Sequence, residues 1–283
     1  MHRVRAFVSL ANVQAEVGMV EEAIATLQKI ESKPEIDQFF ISIGITKVWF
    51  KIGNKDKIKA IFTRHLEIAN GITDEEKQTD VFKKIVIAQA EVSEFEDARE
   101  NAKKIDFLER QAYVLMRIAI EQAKVREFTT ALETVEEIEI KHYQSEALCG
   151  IAIAKAEASP FTDDALEIAE QIESKRERTQ ALVEIVRIQG QVKNFPALLK
   201  IKDNVRGKEW KNEVLLAIAE VYAKAEDFTT ALEISTEIDL PSMHAKTLGV
   251  IAEIQAQAGQ YEAARTTFAT FLKMQYSGQF LSS

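Results

Sequence analysis

The 283-residue chain has few of the residues that break helices or staple small domains. With only 4 prolines and 10 glycines, long helical stretches can continue without interruption. The single cysteine, Cys149, excludes an intramolecular disulfide and favours a reducing compartment, which we expect to be the cytoplasm. No apolar run approaches the roughly 18 residues that suggest a membrane span. The N-terminal "MHRVRAFVSLANVQAEVG" predicts an amphipathic helix rather than a signal peptide.

Positively charged residues are fewer than negatively charged ones, with 36 Lys and Arg against 45 Asp and Glu. The formal net charge is -9, and a chain this acidic repels a phosphate backbone, which argues against general nucleic-acid binding. Hydrophobic residues make up 46 % and charged residues 29 % of the chain. This composition, rich in Ala, Glu, Ile and Lys, favours helices and provides enough apolar surface for a large core.

A short sequence motif repeats along the chain, as in "REFTTALETVEEI" and "EDFTTALEISTEI". Each copy contains an aromatic residue and an alanine. The steps between successive aromatic residues are 33, 33, 34, 33 and 33 residues. Each aromatic is expected on the second of two amphipathic helical patterns, separated by a short turn that in places holds a glycine. The aromatic residues are Phe95, Phe128, Phe161, Phe195, Phe228 and Tyr261.

The period and the two patterns predict an all-α chain of about eight antiparallel helix pairs. One pair cannot bury both of its apolar faces, so neighbouring pairs must stack into one solenoid over 1–283. Small side chains recur at one step of the first helix, where they let helices approach closely: Ala11, Thr46, Ala119, Ala152, Ala219 and Ala252. The predicted units are approximately 3–34, 35–72, 73–106, 107–140, 141–174, 175–206, 207–240 and 241–274, followed by a tail at 275–283.

The last unit, "AGQYEAARTTFATFL" at 258–272, resembles the tetratricopeptide repeat. The resemblance rests on Gly259, Tyr261, Ala264, Phe268 and Phe271, and over the rest of the chain on the period. Most units lack the family's glycine, early aromatic and closing proline. The resemblance implies a right-handed superhelix whose concave wall is lined by the first helix of each pair.

Two local features stand out from the regular pattern. Ser93 with Glu96 predicts a capping box at the start of a second helix. Between Gly53 and Ser93 the step is 40 residues, which predicts a longer first helix in the third unit, after Gly71 and a capping box of Thr73 and Glu76. This insertion is either a tolerated surface segment or a contact lip.

The chain shows no polar capping helix at either end. Solenoids need polar terminal faces for solubility, so the apolar ends indicate a piece of a longer protein, an end that packs on itself, or a contact with a partner. The partner in such a contact could be a second copy of the chain, which would self-associate through its uncapped ends.

Residues that could bind a metal or take part in catalysis are scattered along the chain. His2, His65, His142 and His244 form no pair with metal-ligand spacing among themselves or with Cys149, so we predict no metal site, no cofactor and no catalytic residue. The histidines are expected at helix ends or on the surface, and Cys149 is expected to be a small packing residue.

The resemblance implies that a partner would contact the first helices. Their expected wall residues turn from basic and aromatic in the early units to more acidic in the later ones. These wall residues form either an ordinary solvated helix surface or a polarised groove for a peptide. The residues are Arg5, Asn12, Phe40, Lys47, Lys51, Lys83, Tyr113, Lys124, Glu146, Arg187, Glu220, Lys224 and Glu253.

The sequence is compatible with three functions. The first is a non-catalytic scaffold that binds a protein or peptide in its groove. The second is a sensor or regulatory arm of a larger multidomain protein. The third, which the absence of catalytic motifs disfavours, is an enzyme or RNA binder built on the solenoid.

Overall fold

The computed structural model describes residues 2–31, 38–161, 163–205 and 208–277. Within these ranges the regular secondary structure is entirely α-helical, which confirms the predicted all-α fold of about eight helix pairs. The helices are α1 (His2–Glu16), α2 (Val20–Glu31), α3 (Gln38–Ile52), α4 (Lys55–Asn70), α5 (Glu75–Glu91), α6 (Phe95–Ala102), α7 (Leu108–Lys124), α8 (Phe128–Glu136), α9 (Lys141–Ala158), α10 (Asp164–Glu170), α11 (Lys175–Gln191), α12 (Phe195–Asn204), α13 (Lys208–Lys224), α14 (Phe228–Thr236), α15 (Pro241–Gln257) and α16 (Tyr261–Ser277).

The chain divides into two compact units, residues 1–143 and residues 144–283. In the first unit, α5 packs against its own second helix α6, against α4, and against the first helices α3 and α7 on either side. In the second unit, α13 packs in the same way against α12, α14, α11 and α15. In both units, a first helix thus packs against its own second helix and against neighbouring first helices of the same unit.

Isoleucines occupy the equivalent position of seven first helices and form a column. Each of these side chains is at most 4 % exposed, and burying a side chain of this size stabilises the fold by about 1.5–3 kcal/mol. We call this the isoleucine column: Ile45, Ile85, Ile118, Ile151, Ile185, Ile218 and Ile251. The next residue along the helix is the predicted small-residue position, and all six of the predicted members are buried.

Seven of the turns between the two helices of a pair share one helix-ending geometry among the described residues. In the turn after α7, Arg126 has a φ of 69° and the N–H of Glu127 donates to the carbonyl of Gln122 at 2.9 Å. A left-handed residue with this six-to-one bond defines the Schellman motif. The equivalent positive-φ residues are Gly18, Gly53, Ser93, Lys193, Glu226 and Gly259.

Buried polar side chains join the two helices of several pairs. The hydroxyl of Thr134 on α8 donates to Gln122 Oε1 on α7 at 2.8 Å, and Asn101 Nδ2 on α6 donates to Gln89 Oε1 on α5 at 3.1 Å. Both pairs are separated by 12 residues and are buried. Buried polar groups are costly unless paired, so these bonds fix the register of the second helix against the first.

Both predicted capping boxes are wrong. Ser93 has a φ of 60° because it is the left-handed residue that ends α5, and α6 begins after Glu94 without a side-chain cap. At the start of α5 the cap is Asp74, whose carboxylate accepts the backbone N–H of Lys77 at 3.0 Å, one residue beyond the predicted Thr73.

The extra residues of the 40-residue step lengthen a different helix from the one predicted. The second helix α4 has 16 residues, whereas α6 has 8 and α8 has 9. The first helix α5 has 17 residues, the same length as α7. The insertion therefore extends the second helix of the second pair, and Gly71 follows its last residue as the C-cap.

The expectation that every histidine lies at a helix end or on the surface is wrong for His65. This side chain lies in the middle of α4 and is 3 % exposed. Burial lowers the pKa of His65 to about 4, since the charged imidazolium loses its hydration in the core. His65 is therefore a neutral core residue at physiological pH.

Candidate functional site

The described wall residues all lie on the first helix of a pair. The side chains of Arg5 and Phe40 lie outside the part of the chain that is described. The others occupy α1 (Asn12), α3 (Lys47, Lys51), α5 (Lys83), α7 (Tyr113, Lys124), α9 (Glu146), α11 (Arg187), α13 (Glu220, Lys224) and α15 (Glu253). We call α1, α3, α5 and α7 the first-unit wall, and α9, α11, α13 and α15 the second-unit wall.

At one end of the first-unit wall, Lys51 of α3 reaches across to α1. Its ammonium donates to Asn12 Oδ1 at 2.9 Å and pairs with the Glu16 carboxylate at 2.5 Å. The hydrogen bond from Lys51 holds the pKa of the Glu16 carboxyl below its usual value. These contacts tie the exposed C-terminal turns of two neighbouring first helices together.

Glu91 of α5 connects the next two helices. Its carboxylate lies 2.9 Å from Lys47 Nζ on α3 and 3.9 Å from Arg117 Nη2 on α7. One residue thus bridges three first helices. Partly exposed pairs of this kind contribute about 0–1 kcal/mol each, so their main effect is to neutralise the wall and to orient its side chains.

The aromatic side chains of the first-unit wall also contact other side chains of the same unit. Lys83 Nζ of α5 lies 4.8 Å from the centre of the Tyr113 ring on α7, within the range of a cation–π contact. The Tyr113 ring in turn meets the Tyr143 ring edge-on at 6.0 Å between centroids. Lys83 and Tyr113, both expected to face a partner, therefore contact each other within this unit.

In the second-unit wall, three of the predicted residues, Arg187, Lys224 and Glu253, pair with a side chain on their own helix. Arg187 pairs with Glu184 three residues before it on α11, and Lys224 pairs with Glu220 on α13 at 2.6 Å. On α15, Gln257 Nε2 donates to the Glu253 carboxylate at 3.3 Å. A partner can rearrange such exposed intrahelical pairs without detaching one helix from the next.

A cleft of about 410 Å³ opens on this wall between the C-terminal halves of α9 and α11. Its apolar surface comes from Ile153, Ile188, Val192 and Pro160, and its polar surface from Glu157, Glu184, Arg187 and Gln191. Since Arg187 is already paired with Glu184, the Glu157 carboxylate gives the cleft an excess of negative charge. We call this the α9–α11 cleft.

Asn194 fixes the loop that closes one side of the cleft. Its Nδ2 donates to the carbonyl of Pro160 at 3.4 Å and to Gln189 Oε1 at 2.9 Å. The bond to Pro160 links the turn after α11 with the loop after α9. One side-chain hydrogen bond therefore joins this loop to the end of α11.

Phe161 departs from its predicted position on a second helix. The aromatic residues at the other steps begin α6, α8, α12, α14 and α16, whereas α10 begins only at Asp164. The additional residue of the 34-residue step accounts for one of the three residues between Phe161 and the start of α10. Phe161 therefore lies in the loop, directly after Pro160. Phe161 is 75 % exposed, while Phe95 is 6 % and Phe228 is 8 % exposed. The repeat pattern missed this residue as a candidate contact.

Cys149 of α9 is buried, as expected of a packing residue, with 5 % exposure. Burial and the nearby carboxylates of Glu177, Glu146 and Glu184 raise the pKa of the Cys149 thiol to about 11. The reactive form of cysteine is the thiolate. The thiol therefore stays protonated at neutral pH.

No family model matches the sequence, and no curated protein matches it. Among solved structures, the chain is similar to Ton1535 from Thermococcus onnurineus NA1, at 16% identity over 96% of this chain and 97% of that one, with a TM-score of 0.33. It is also similar to a Rap protein complexed with competence and sporulation factor, at 13% identity over 98% and 99%, with a TM-score of 0.31.

The helix pairs themselves define the class to which the chain belongs: all-α proteins built from repeated helical hairpins. In the ranges described, each helix is too short or too polar to cross a bilayer. The candidate functional surface of this helical-repeat protein is its second-unit wall, which includes the α9–α11 cleft.

Proposed function

We propose that this chain is a non-catalytic interaction scaffold of the tetratricopeptide-like kind, acting in the cytoplasm, which binds an extended segment of a partner protein on its second-unit wall. The observation that carries the proposal is the α9–α11 cleft, a depression lined by both apolar and charged side chains, with the exposed Phe161 in the adjoining loop. Its volume of about 410 Å³ suits a few side chains of a peptide rather than a folded domain.

The chemistry of the cleft favours a particular kind of segment. Ile153, Ile188 and Val192 offer apolar contacts for one aliphatic or aromatic side chain. The Glu157 carboxylate on the rim favours a neighbouring lysine or arginine in the partner. An exposed aromatic ring such as that of Phe161 gives a large contact area at a small cost in side-chain entropy.

The first-unit wall fits this role less well. Its lysines are already held by acceptors on neighbouring helices, as Lys51 is by Glu16 and Asn12, and Lys47 by Glu91. A partner would have to break these contacts before using the same groups. On the second-unit wall, Arg187 and Lys224 pair within single helices, so a partner can rearrange these contacts at a lower cost of binding.

A selection from a displayed library of random peptides tests the proposal. Enriched peptides should combine an apolar residue with a nearby Lys or Arg. Their dissociation constants, measured by fluorescence anisotropy, should rise about tenfold or more on Glu157→Lys or Phe161→Ser. The matched charge reversal Glu233→Lys, on the exposed surface of α14, should leave binding unchanged. Failure to enrich any peptide, or equal binding by all three variants, would overturn the proposal.

A further inference from the structure

The apolar side of the α9–α11 cleft continues along the second-unit wall. Ile188 lines the cleft and lies three residues after Ile185 of the isoleucine column. Val221 of α13 and Ile254 of α15 occupy the equivalent position on their helices, and all three side chains are half-buried. We call Ile188, Val221 and Ile254 the apolar row. Because the unit covers the row only in part, the row offers apolar surface to a partner.

The equivalent position of the first-unit wall offers no such row among the described residues of α3, α5 and α7. Val48 of α3 and Ala88 of α5 are at most 1 % exposed. The residue on α7 is Glu121, whose carboxylate lies 2.8 Å from Lys124 Nζ. The apolar row is therefore a property of the second unit and does not follow from the repeat alone.

Neighbouring first helices hold the members of the row at a regular spacing. The middle helix α13 packs against both α11 and α15, and a Cβ atom added at Gly190 of α11 would lie 2.5 Å from Val221 Cγ1. Packed helices lie about 8–10 Å apart, and an extended peptide advances about 3.3 Å per residue. Three extended residues thus span the step from one first helix to the next, so a peptide that crosses the helices meets the row at every third residue.

Carboxylates lie beside this path. Arg187 lines the cleft and directly precedes a member of the row, so the residue before each member faces the same wall. On α13 that residue is Glu220, which pairs with Lys224 at 2.6 Å. On α15 it is the exposed Glu253, which accepts a hydrogen bond from the neutral Gln257. Glu253 therefore adds negative charge at α15, two first helices beyond the cleft.

We propose, on the basis of the peptide binding proposed above, that the bound segment runs in an extended conformation from α9 to α15 and places an apolar side chain at every third residue. Lysine or arginine side chains lie near both ends of this path, opposite Glu157 in the cleft and Glu253 on α15. Three helix-to-helix steps separate these carboxylates, which corresponds to about nine extended residues.

Two observations select this kind of segment. The carboxylates at both ends of the path favour a basic peptide by charge complementarity. The spacing of the row favours an extended peptide over a helical one, because three residues of an α-helix advance only about 4.5 Å, roughly half of one helix-to-helix step.

A series of synthetic peptides tests the proposal. Fluorescein-labelled peptides contain two, three or four Leu-Lys-Ser triplets, and their dissociation constants are measured by fluorescence anisotropy at physiological salt. Each added triplet should lower the dissociation constant about threefold or more, since it brings one more leucine onto the wall. Peptides of the same composition with all leucines in one block should bind more weakly and without this dependence on length.

The charge reversal Glu253→Lys separates this inference from the peptide binding on which it rests. It should remove the advantage of the fourth triplet and leave binding of the two-triplet peptide nearly unchanged, whereas Glu157→Lys should weaken every length. Glu233→Lys on α14 is the matched control and should bind the series like the native chain. All three variants should keep the helical circular dichroism of the native protein, because these positions are exposed.

The outcomes for the two proposals differ. Binding that depends on Glu157 but not on peptide length or on Glu253 would overturn the extended path and leave peptide binding in the cleft intact. Equal binding of the triplet and block peptides, or no binding of the four-triplet peptide while library-selected peptides bind, would also overturn the extended path alone. No binding of any peptide would overturn both proposals.

Discussion

Gly190 of α11 and Val221 of α13 lie closer than any larger residue at position 190 would permit. A Cβ atom there would be 2.5 Å from Val221 Cγ1 and 2.8 Å from Cγ2. The β-branched valine has little rotamer freedom in a helix, so the two helices would have to separate. We expect Gly190→Ala to lower the free energy of unfolding by about 1–3 kcal/mol, measured by urea denaturation.

Gly249 of α15 provides the matched control. A Cβ atom at this position would meet only Phe271 ring carbons at 3.8 Å, which is ordinary contact. Alanine is the better helix former by about 1 kcal/mol, so Gly249→Ala should leave stability unchanged or raise it. Equal destabilisation by both substitutions would contradict the close approach of α11 and α13.

The left-handed turn residues offer a stabilising substitution. Arg126 is exposed and has a φ of 69°, a conformation that costs a residue with a side chain roughly 1–2 kcal/mol. Allowing for the greater freedom of glycine in the unfolded chain, Arg126→Gly should raise the melting temperature and stabilise by about 0.5–1 kcal/mol. Arg126→Lys keeps the strain and should change nothing. A loss of stability in Arg126→Gly would contradict the turn geometry.

The reactivity of Cys149 should report on the packing of α9. A pKa of about 11, against an ordinary value of about 8.5–9, reduces the thiolate fraction at pH 8 by about 100-fold. Labelling with Ellman's reagent should therefore be at least that much slower in the native protein than in urea. In the double variant Cys149→Ser, Thr229→Cys, the thiol lies at an exposed position of α14 and should react at once. Rapid labelling of native Cys149 would show that the thiol is accessible.

Lowering the pH should reduce the folding stability of the first unit over a pH range set by His65. An unfolded histidine takes up its proton below about pH 6.5, whereas the buried His65 has a pKa of about 4. The unfolded state binds the proton first, so stability is retained above pH 6.5 and falls as the pH drops from there towards about 4. His65→Leu should lose this part of the pH dependence in urea titrations above, within and below the window. Identical slopes in both proteins would contradict a neutral His65 in the core.

The sequence was sufficient to predict the helix pairs, because the period and the amphipathic patterns reflect burial that recurs in every repeat. The buried small residues at 152 and 219 and the first-helix position of the wall residues followed from the same register. The mistake at Ser93 arose because a local Ser-x-x-Glu signature outweighed the register. In that register Ser93 is equivalent to Gly18 and Gly53, which mark the left-handed turn.

Other features depend on contacts that a sequence pattern does not contain. The pairing of Lys51 with Glu16 joins residues 35 positions apart and depends on how α1 and α3 stack and on rotamers. Burial of His65 had a signal that was overlooked, since it shares a helical face with the buried Ile58, Phe62 and Ala69. Phe161 was misplaced because α10 begins only at Asp164, three residues after Phe161, and this shift exceeds the one or two residues by which helix boundaries ordinarily vary.

Hydrogen exchange of the protein with and without a library-selected peptide tests the central claim most directly. Binding at the α9–α11 cleft should slow amide exchange in residues 153–161 and 184–192, while α1, α3, α5 and α7 keep their exchange rates. Protection confined to the first-unit wall, or no protection at a saturating peptide concentration, would contradict the account.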